Sequence, residues 1–299
     1  MFDSAAHAVT LDVGGSHVTA ALVHLATRRI QRQARLEVSH AAPQDALLSA
    51  WTAAALEVWK DVSGRPSHLG LAVPGPFEHH AGVSRMTHKF PALLGVPLRP
   101  LLAHHVRETP LSGVPIYFGN DADLFALGEW WAGAGRGSLR MIGLTLGTGL
   151  GSGFIAGGRI ITAGDEVPPG GELWNRPFRG AIAETFACGA ALTRAWVALG
   201  HGPLTAHDLA HRALDGDASA HSVFHAFGCD LADILQPWVE RFGAERVVLG
   251  GNVSRAFDLF APALRSGLPS SEVRTSEHFE LAAPFGAAAL AGEEPQGVP

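Results

Sequence analysis

No run of about eighteen uninterrupted apolar residues occurs in this 299-residue chain, so no membrane-spanning helix is expected. Cysteine is scarce: Cys188 and Cys229 are the only two, too few for a disulfide framework and suited to a reducing cytoplasm. The first residues, MFDSAAHAVTLDVGG, lack a basic segment followed by an apolar core, so no secretory signal is read there. There is also no Lys/Arg-rich block. With a net charge of −6, a nucleic-acid-binding surface is not expected. Sixteen histidines are present, yet no H-E-x-x-H pattern. Pairs such as His79-His80 and His104-His105 are consecutive and point in different directions on any regular element, so no histidine-built metal site is expected. What remains is a chain with 47% hydrophobic residues, 17% charged residues and 36 glycines. That composition supplies a substantial core and many turns, which suits α/β construction.

The glycines are not scattered evenly. Residues 144–161 read LTLGTGLGSGFIAGGRII, with Gly147, Gly149, Gly151 and Gly153 alternating between apolar flanks. Such a stretch reads as a hairpin, and its Cβ-free positions let backbone N–H groups approach an anion closely. Residues 8–25 repeat the theme, with Gly14-Gly15 between two apolar strands, and a third strand fits 30–38. A helix is expected over 43–60 from apolar spacings of three and four, then a strand over 67–73 closed by Pro74-Gly75-Pro76. A strand over 114–118 runs into Gly119-Asn120-Asp121 and a helix over 122–131. Residues 164–181 have the composition of a site-lining loop. Helices are expected over 182–199, 206–215 and 218–242, the last interrupted by Pro237, then a strand over 246–249 and a helix over 282–291. Strand, glycine turn, strand, strand, helix, strand thus occurs twice, from near residue 8 and near residue 141, as in an internal duplication.

Gly151-Ser-Gly153-Phe-Ile-Ala156 satisfies the letter of the dinucleotide fingerprint, but strand and turn follow it rather than a helix, so no nicotinamide or flavin site is assigned. Asp12 lies two residues before Gly14-Gly15, with Ser16 beyond. A carboxylate beside such a turn suits Mg²⁺ held through water, while Ser16 and the amides suit phosphoryl oxygens. Thr148 offers a hydroxyl and an N–H at the second turn. Asn120-Asp121, on chemistry alone, is equally a helix N-cap.

Four segments, Asp12-Val-Gly-Gly-Ser16, Asn120-Asp-Ala-Asp-Leu-Phe-Ala-Leu-Gly-Glu129, Leu146-Gly-Thr-Gly-Leu-Gly-Ser-Gly153 and Val248-Leu-Gly-Gly-Asn-Val-Ser254, occur in this order. Together they resemble the phosphate-1, catalytic, phosphate-2 and adenosine motifs of the ROK sugar kinases, within the actin and hexokinase ATPase superfamily. The resemblance runs from about residue 9 to 290. It implies an α/β, two-lobed actin-like ATPase fold with a ribonuclease H-like duplication and a nucleotide and sugar cleft between the lobes. The small lobe would span 1–117, with a C-terminal helix at about 282–299 packing back on it, and the large lobe 118–281. ATP and Mg²⁺ are the implied cofactors. Asp12, Gly14, Gly15, Ser16, His17, Gly147, Thr148, Gly149, Gly250, Gly251 and Asn252 are the implied nucleotide-side residues, Asp12 holding Mg²⁺ through water. Asp121 carries over as the catalytic base. Asn120, Glu172, Asn175, Glu184 and Gly75 join it as sugar-binding residues. The family implies a homodimer, beside the cytoplasmic setting and the lack of nucleic-acid or membrane partners expected from composition.

The chain departs from the family where sugar would bind. Gly171-Glu172-Leu173-Trp174-Asn175 stands where the family pattern resembles G-E-x-G-H, so Asn175 replaces a histidine. Residues 175–180 read NRPFRG without the family's zinc-binding cysteines, so no structural zinc is expected and Arg176 and Arg179 are read as free for another role. Two rival readings follow: a sugar-binding relative without turnover, and a kinase that uses polyphosphate as donor. A ROK transcription repressor is disfavoured, because the first core strand starts near residue 8.

Overall fold

The computed structural model describes residues 6–87 and 89–292. The chain forms two compact units, one comprising residues up to Leu124 together with Leu281 onward, the other Phe125–Glu280.

In the first unit, strands β1 (His7–Val13), β2 (His17–His24), β3 (Arg29–Glu37), β4 (Leu69–Val73) and β5 (Ile116–Asn120) form one sheet in the order β3-β2-β1-β4-β5. β1, β2 and β3 pair antiparallel, whereas β1, β4 and β5 run parallel. β1 is central, so its Val9, Leu11 and Val13 are buried and pack with Leu47, Trp51 and Val58 of helix α1 (Gln44–Trp59). β3 lies at the edge, and its exposed Arg29, Arg32 and Arg35 discourage pairing with another chain.

The second unit repeats the pattern. β6 (Arg140–Leu146), β7 (Leu150–Ala156), β8 (Arg159–Ile160), β9 (Arg246–Gly250) and β10 (Glu272–Thr275) take the order β8-β7-β6-β9-β10, again antiparallel on one side of β6 and parallel on the other. The expected duplication is therefore present in strand order and direction. Ile142, Leu144 and Leu146 of β6 bury against Phe224, Leu231 and Leu235 of a long helix.

The remaining helices are α2 (Leu98–His105), α3 (Asp121–Ala132), α4 (Gly189–Ala198), α5 (Ala206–Leu214), α6 (Ala218–Phe242), α7 (Phe257–Gly267) and α8 (Ala282–Ala289). Although α8 follows the second sheet, it packs on the first. Gly70 of β4 makes that possible, since a Cβ there would lie 2.3 Å from the Ala287 carbonyl oxygen. Buried His68 donates from Nε2 to the same carbonyl at 3.2 Å.

Three expectations need correction. The helix anticipated over 182–199 begins only at Gly189. Before it, Ala181–Ile182 pairs with Pro177–Phe178 in a short ribbon, and Ala183–Thr185 forms one 3₁₀ turn. The Glu184 amide bonds the Trp174 carbonyl at 3.0 Å, which diverts the backbone from the helical ladder. Secondly, α6 runs unbroken through Pro237. A helical proline costs about 3 kcal/mol in isolation. Here Leu231, Leu235, Val239 and Phe242 are buried on both sides of it, and that burial outweighs the loss. Thirdly, α2, α7 and β10 occupy stretches with no assignment from sequence. α7 contains Pro262, which masks the spacing of buried Phe257, Phe260, Ala261 and Leu264. The tail of the expected 282–299 helix beyond Gly292 lies outside the described residues.

Gly286 of α8 tests the tightness of this packing. A Cβ there would lie 1.9 Å from the Leu124 carbonyl oxygen, which is backbone and cannot step aside. Gly286→Ala is expected to destabilise the fold by about 1–3 kcal/mol, read as a lower urea midpoint with an unchanged slope.

Candidate active site

The residues singled out from the sequence fall into two sets, one in each unit. In the first, Asp12 is the penultimate residue of β1, opposite Thr19 on β2 and Ala72 on β4. The turn after it is closed by the Gly14 N–H donating to the His17 carbonyl at 2.9 Å. It is tied to the chain beyond β3 by Val38 N–H to Ser16 O at 3.0 Å and His40 N–H to Gly15 O at 3.1 Å. A Cβ at Gly15 would meet nothing within 4 Å. Protein packing does not demand glycine at this point, whereas close approach of a ligand to the backbone would. Ser16 Oγ lies 3.2 Å from His17 Nδ1, and the His17 ring is held below its usual basicity by burial and by Arg35.

Asn120 ends β5 and Asp121 opens α3. The cap anticipated there is real: the Ala122 N–H donates to Asn120 Oδ1 and to Asp121 Oδ1, both at 2.9 Å. Gly75 adjoins this cap, since a Cβ on it would stand 3.4 Å from Asn120 Nδ2.

Asp12 senses the charge of Asp121. Burial, reinforced by the Asp121 charge, pushes the Asp12 carboxyl up to about 7. Burial also raises Asp121, opposed by the Ala122 N–H, by Lys89 and by its own N–H. Asp12 is nevertheless only half-buried and Asp121 keeps an exposed face. The pair therefore sits in a recess that water reaches, which tempers both shifts. Lys89 is a participant that sequence reading missed; no motif or spacing flagged it. A buried carboxyl whose ionisation is opposed by a neighbouring carboxylate is one that a divalent cation would relieve, so this donor set fits Mg²⁺.

In the second unit the turn joining β6 to β7 carries Gly147, Thr148 and Gly149. Gly147 N–H donates to Gly149 O at 3.0 Å, and Gly189 N–H at the head of α4 donates to Gly147 O at 2.9 Å. A Cβ at Gly147 would again meet nothing within 4 Å, and Thr148 is exposed. Gly149 is different: a Cβ would lie 2.5 Å from Glu184 Oε2, the oxygen that accepts the Leu150 N–H at 3.0 Å. Glu184 thus reaches the glycine turn only because Gly149 has no side chain.

Glu172 and Asn175 meet through the Asn175 amide, which donates to Glu172 Oε2 at 3.4 Å. Trp174 Nε1 donates to the same oxygen at 3.0 Å. Arg179 is not free. Its guanidinium bridges Asp230 at 2.5 Å and Asp233 at 2.7 Å on α6 and lies over the Phe178 ring, which packs edge-on against Phe186. Arg176 donates from Nε to Asn175 Oδ1 at 2.8 Å. The ribbon tip therefore anchors to α6, and at its open end the Ala183 and Glu184 N–H groups donate to the Arg176 and Trp174 carbonyls.

Gly250 and Gly251 close β9. A Cβ at Gly250 would enter the Phe125 ring at 2.3 Å, and one at Gly251 (φ +79°) would lie 2.4 Å from Leu146 O, so both serve packing. Exposed Asn252 follows them at the mouth of a cavity of about 630 Å³. Ala206, His207, His211, Val253 and Leu259 also line it, mostly with apolar surface. Among the described residues no cluster of three or more His, Cys, Asp or Glu side chains is placed to hold a metal ion, and no helix is long and apolar enough to cross a membrane.

The family model described as "ROK family" matches residues 8–294. The chain is 31% identical over 222 residues to a glucokinase from Thermotoga maritima, which covers 66% of this chain and 68% of that one. It is 33% identical over 214 residues to a glucokinase from Halalkalibacterium halodurans, covering 64% of this chain and 62% of that one. Among solved structures, a ROK hexokinase from Thermus thermophilus superposes with a TM-score of 0.79 at 25% identity, covering 95% of this chain and 97% of that one.

Two outcomes follow from this geometry. Asp12 has a folded value raised to about 7 from 3.8. Its contribution to stability is therefore complete below about pH 3.8 and is lost as pH rises through 7. Without divalent cations, Asp12→Asn should melt above the parent protein at pH 8, with the gap closing by pH 4. An equal gap at both pH values would contradict the buried-carboxylate account. Arg179→Ala should loosen the ribbon, since the Ala183 amide bonds Arg176 O at 2.8 Å and is protected only while the ribbon is closed. Its hydrogen exchange should accelerate by about tenfold for every ~1.4 kcal/mol lost, while the amides of β6 stay unchanged.

Proposed function

The chain belongs to the ROK family, and we propose that it is a sugar kinase that transfers the terminal phosphoryl group of ATP to a hexose hydroxyl. The observation that carries this reading is the recessed pair Asp12, near the end of β1, and Asp121, at the head of α3, both raised by burial. A carboxylate whose affinity for protons is lifted above its ordinary range, as burial does at Asp121, is a stronger general base. Asp121 would take the hydroxyl proton as the sugar oxygen forms its bond to phosphorus and the bond to the departing ADP oxygen breaks. Asn120 holds the cap through the Ala122 and Asp123 amides and keeps Asp121 in place. Asp12 would hold Mg²⁺ through water, and the cation would supply charge neutralisation for the phosphates. Backbone amides at Gly15 and Thr148, together with the Ser16 and Thr148 hydroxyls, would receive the phosphoryl oxygens.

Glu172 and Glu184 are the acceptors for sugar hydroxyls. The glucokinase relatives support glucose as the first sugar to test. For the donor, the largely apolar cavity beside Asn252 favours a nucleoside, because polyphosphate has no apolar part to fill it.

The test is ADP release measured across a panel of hexoses and N-acetylated hexoses, with ATP or polyphosphate as donor. Asp121→Asn should lower kcat by about 10²–10⁴-fold with a modest change in sugar KM. If no sugar raises ADP release above that of the Asp121→Asn variant, the kinase reading fails; sugar binding without turnover would then assign a non-catalytic relative. In the active protein, kcat/KM should fall on acidification along a limb lying above the ordinary carboxylate range, because Asp121 is raised.

A further inference from the structure

Trp174 is 40% exposed, whereas its neighbour Leu173 is completely buried. Single exposed aromatic residues are ordinary on protein surfaces, but this one is fixed in place. Its indole N–H donates to Glu172 Oε2 at 3.0 Å, and its carbonyl accepts the Glu184 N–H at 3.0 Å. On either side, Leu173 N–H donates to Ser152 Oγ at 2.9 Å and Arg176 N–H to Leu173 O at 3.0 Å. Ser152 Oγ in turn donates to Gly171 O at 2.6 Å, locking the loop to β7. A rigid, half-open indole therefore stands against the Glu172 carboxylate, on a residue whose backbone also holds that of Glu184.

That arrangement matches the two-sided chemistry of a pyranose. Such a ring carries an apolar C–H face and a rim of hydroxyls. An indole presents an apolar body with a polar edge, and carboxylates accept hydroxyl protons. We propose that Trp174 is the platform on which the apolar face of the sugar stacks, and that it selects a pyranose with equatorial ring hydroxyls over one with an axial hydroxyl on the stacked face. The same side chain orients Glu172 through its N–H. The inference rests on the sugar-kinase reading and deepens it by naming the sugar class.

Three variants separate stacking from bulk and from the hydrogen bond: Trp174→Phe keeps an aromatic face without the N–H, Trp174→Leu keeps apolar volume alone, and Trp174→Gly removes the side chain. Because the residue is half-open, each should retain the parent circular dichroism spectrum. Trp174→Phe should hold the glucose KM within about threefold, whereas Trp174→Leu and Trp174→Gly should raise it by about five- to tenfold with kcat nearly unchanged. The preference for glucose over galactose, which has one axial hydroxyl, should shrink in the Leu and Gly variants. Independently of turnover, glucose should quench tryptophan emission of the nucleotide-free parent protein, and that quenching should vanish in Trp174→Phe. An unchanged glucose KM in Trp174→Leu, or quenching that persists in Trp174→Phe, would overturn the platform. Should the parent protein release no ADP with any sugar while the quenching still depends on Trp174, the kinase reading falls and the platform stands. If the parent is active and the variants behave like it, only the platform falls.

Discussion

Two negative charges held in one recess are costly, and much of the first unit is arranged around keeping Asp12 and Asp121 there. Asp12 is carried by β1, a central strand buried on both faces, so the carboxylate cannot swing outward without disturbing the sheet. Asp121 is carried by the first turn of α3, where free amides partly offset its desolvation. Burial favours the protonated form of both, and the Asp121 charge favours it further at Asp12. The recess is thus poised to gain from a cation and from a proton donor, which are what a phosphate-bearing nucleotide with Mg²⁺ and a sugar hydroxyl would bring.

The second unit uses a different device. One carboxylate, Glu184, ties a loop to a glycine turn through the Leu150 N–H, and Gly149 yields the space for it. The loop carrying Glu184 is folded back on Trp174 and clipped to α6 by Arg179. Ion pairs of this exposure are individually weak. A bidentate bridge over an aromatic ring, at the tip of a two-residue turn, constrains direction more than it adds stability. The Glu172, Trp174 and Asn175 side chains consequently form one hydrogen-bonded group, to which Glu184 is joined through its backbone N–H.

Repetition of strand order in both units explains why so few local signals described so much of the chain. Each sheet needs a hairpin with a glycine turn and a parallel strand beside its first strand, and those leave short, regular marks: Gly14-Gly15, Gly147 to Gly149, Gly250-Gly251. The glycines themselves divide by role. Gly15 and Gly147 face open space, while Gly149, Gly250 and Gly251 face carboxylate, ring and carbonyl atoms. Their spacing in sequence is the same whichever role they play.

Local order decided the strands of both hairpins, the helices α1, α3, α5 and α8, and the cap at Asn120-Asp121, because periodicity and capping are properties of neighbouring residues. The order of the four motifs decided the family. Tertiary structure alone decided the rest. The rise of Asp12 to about 7 depends on what surrounds it, and Asp121 is 109 positions away in the chain. Arg179 reads as a loop arginine until α6 brings Asp230 and Asp233 to it. The course of 182–188 follows a bond to Trp174, and α6 and α7 run through Pro237 and Pro262 because buried side chains on both sides outweigh one missing N–H. In each case the deciding term is an interaction between residues far apart in sequence, whose energy no local pattern records.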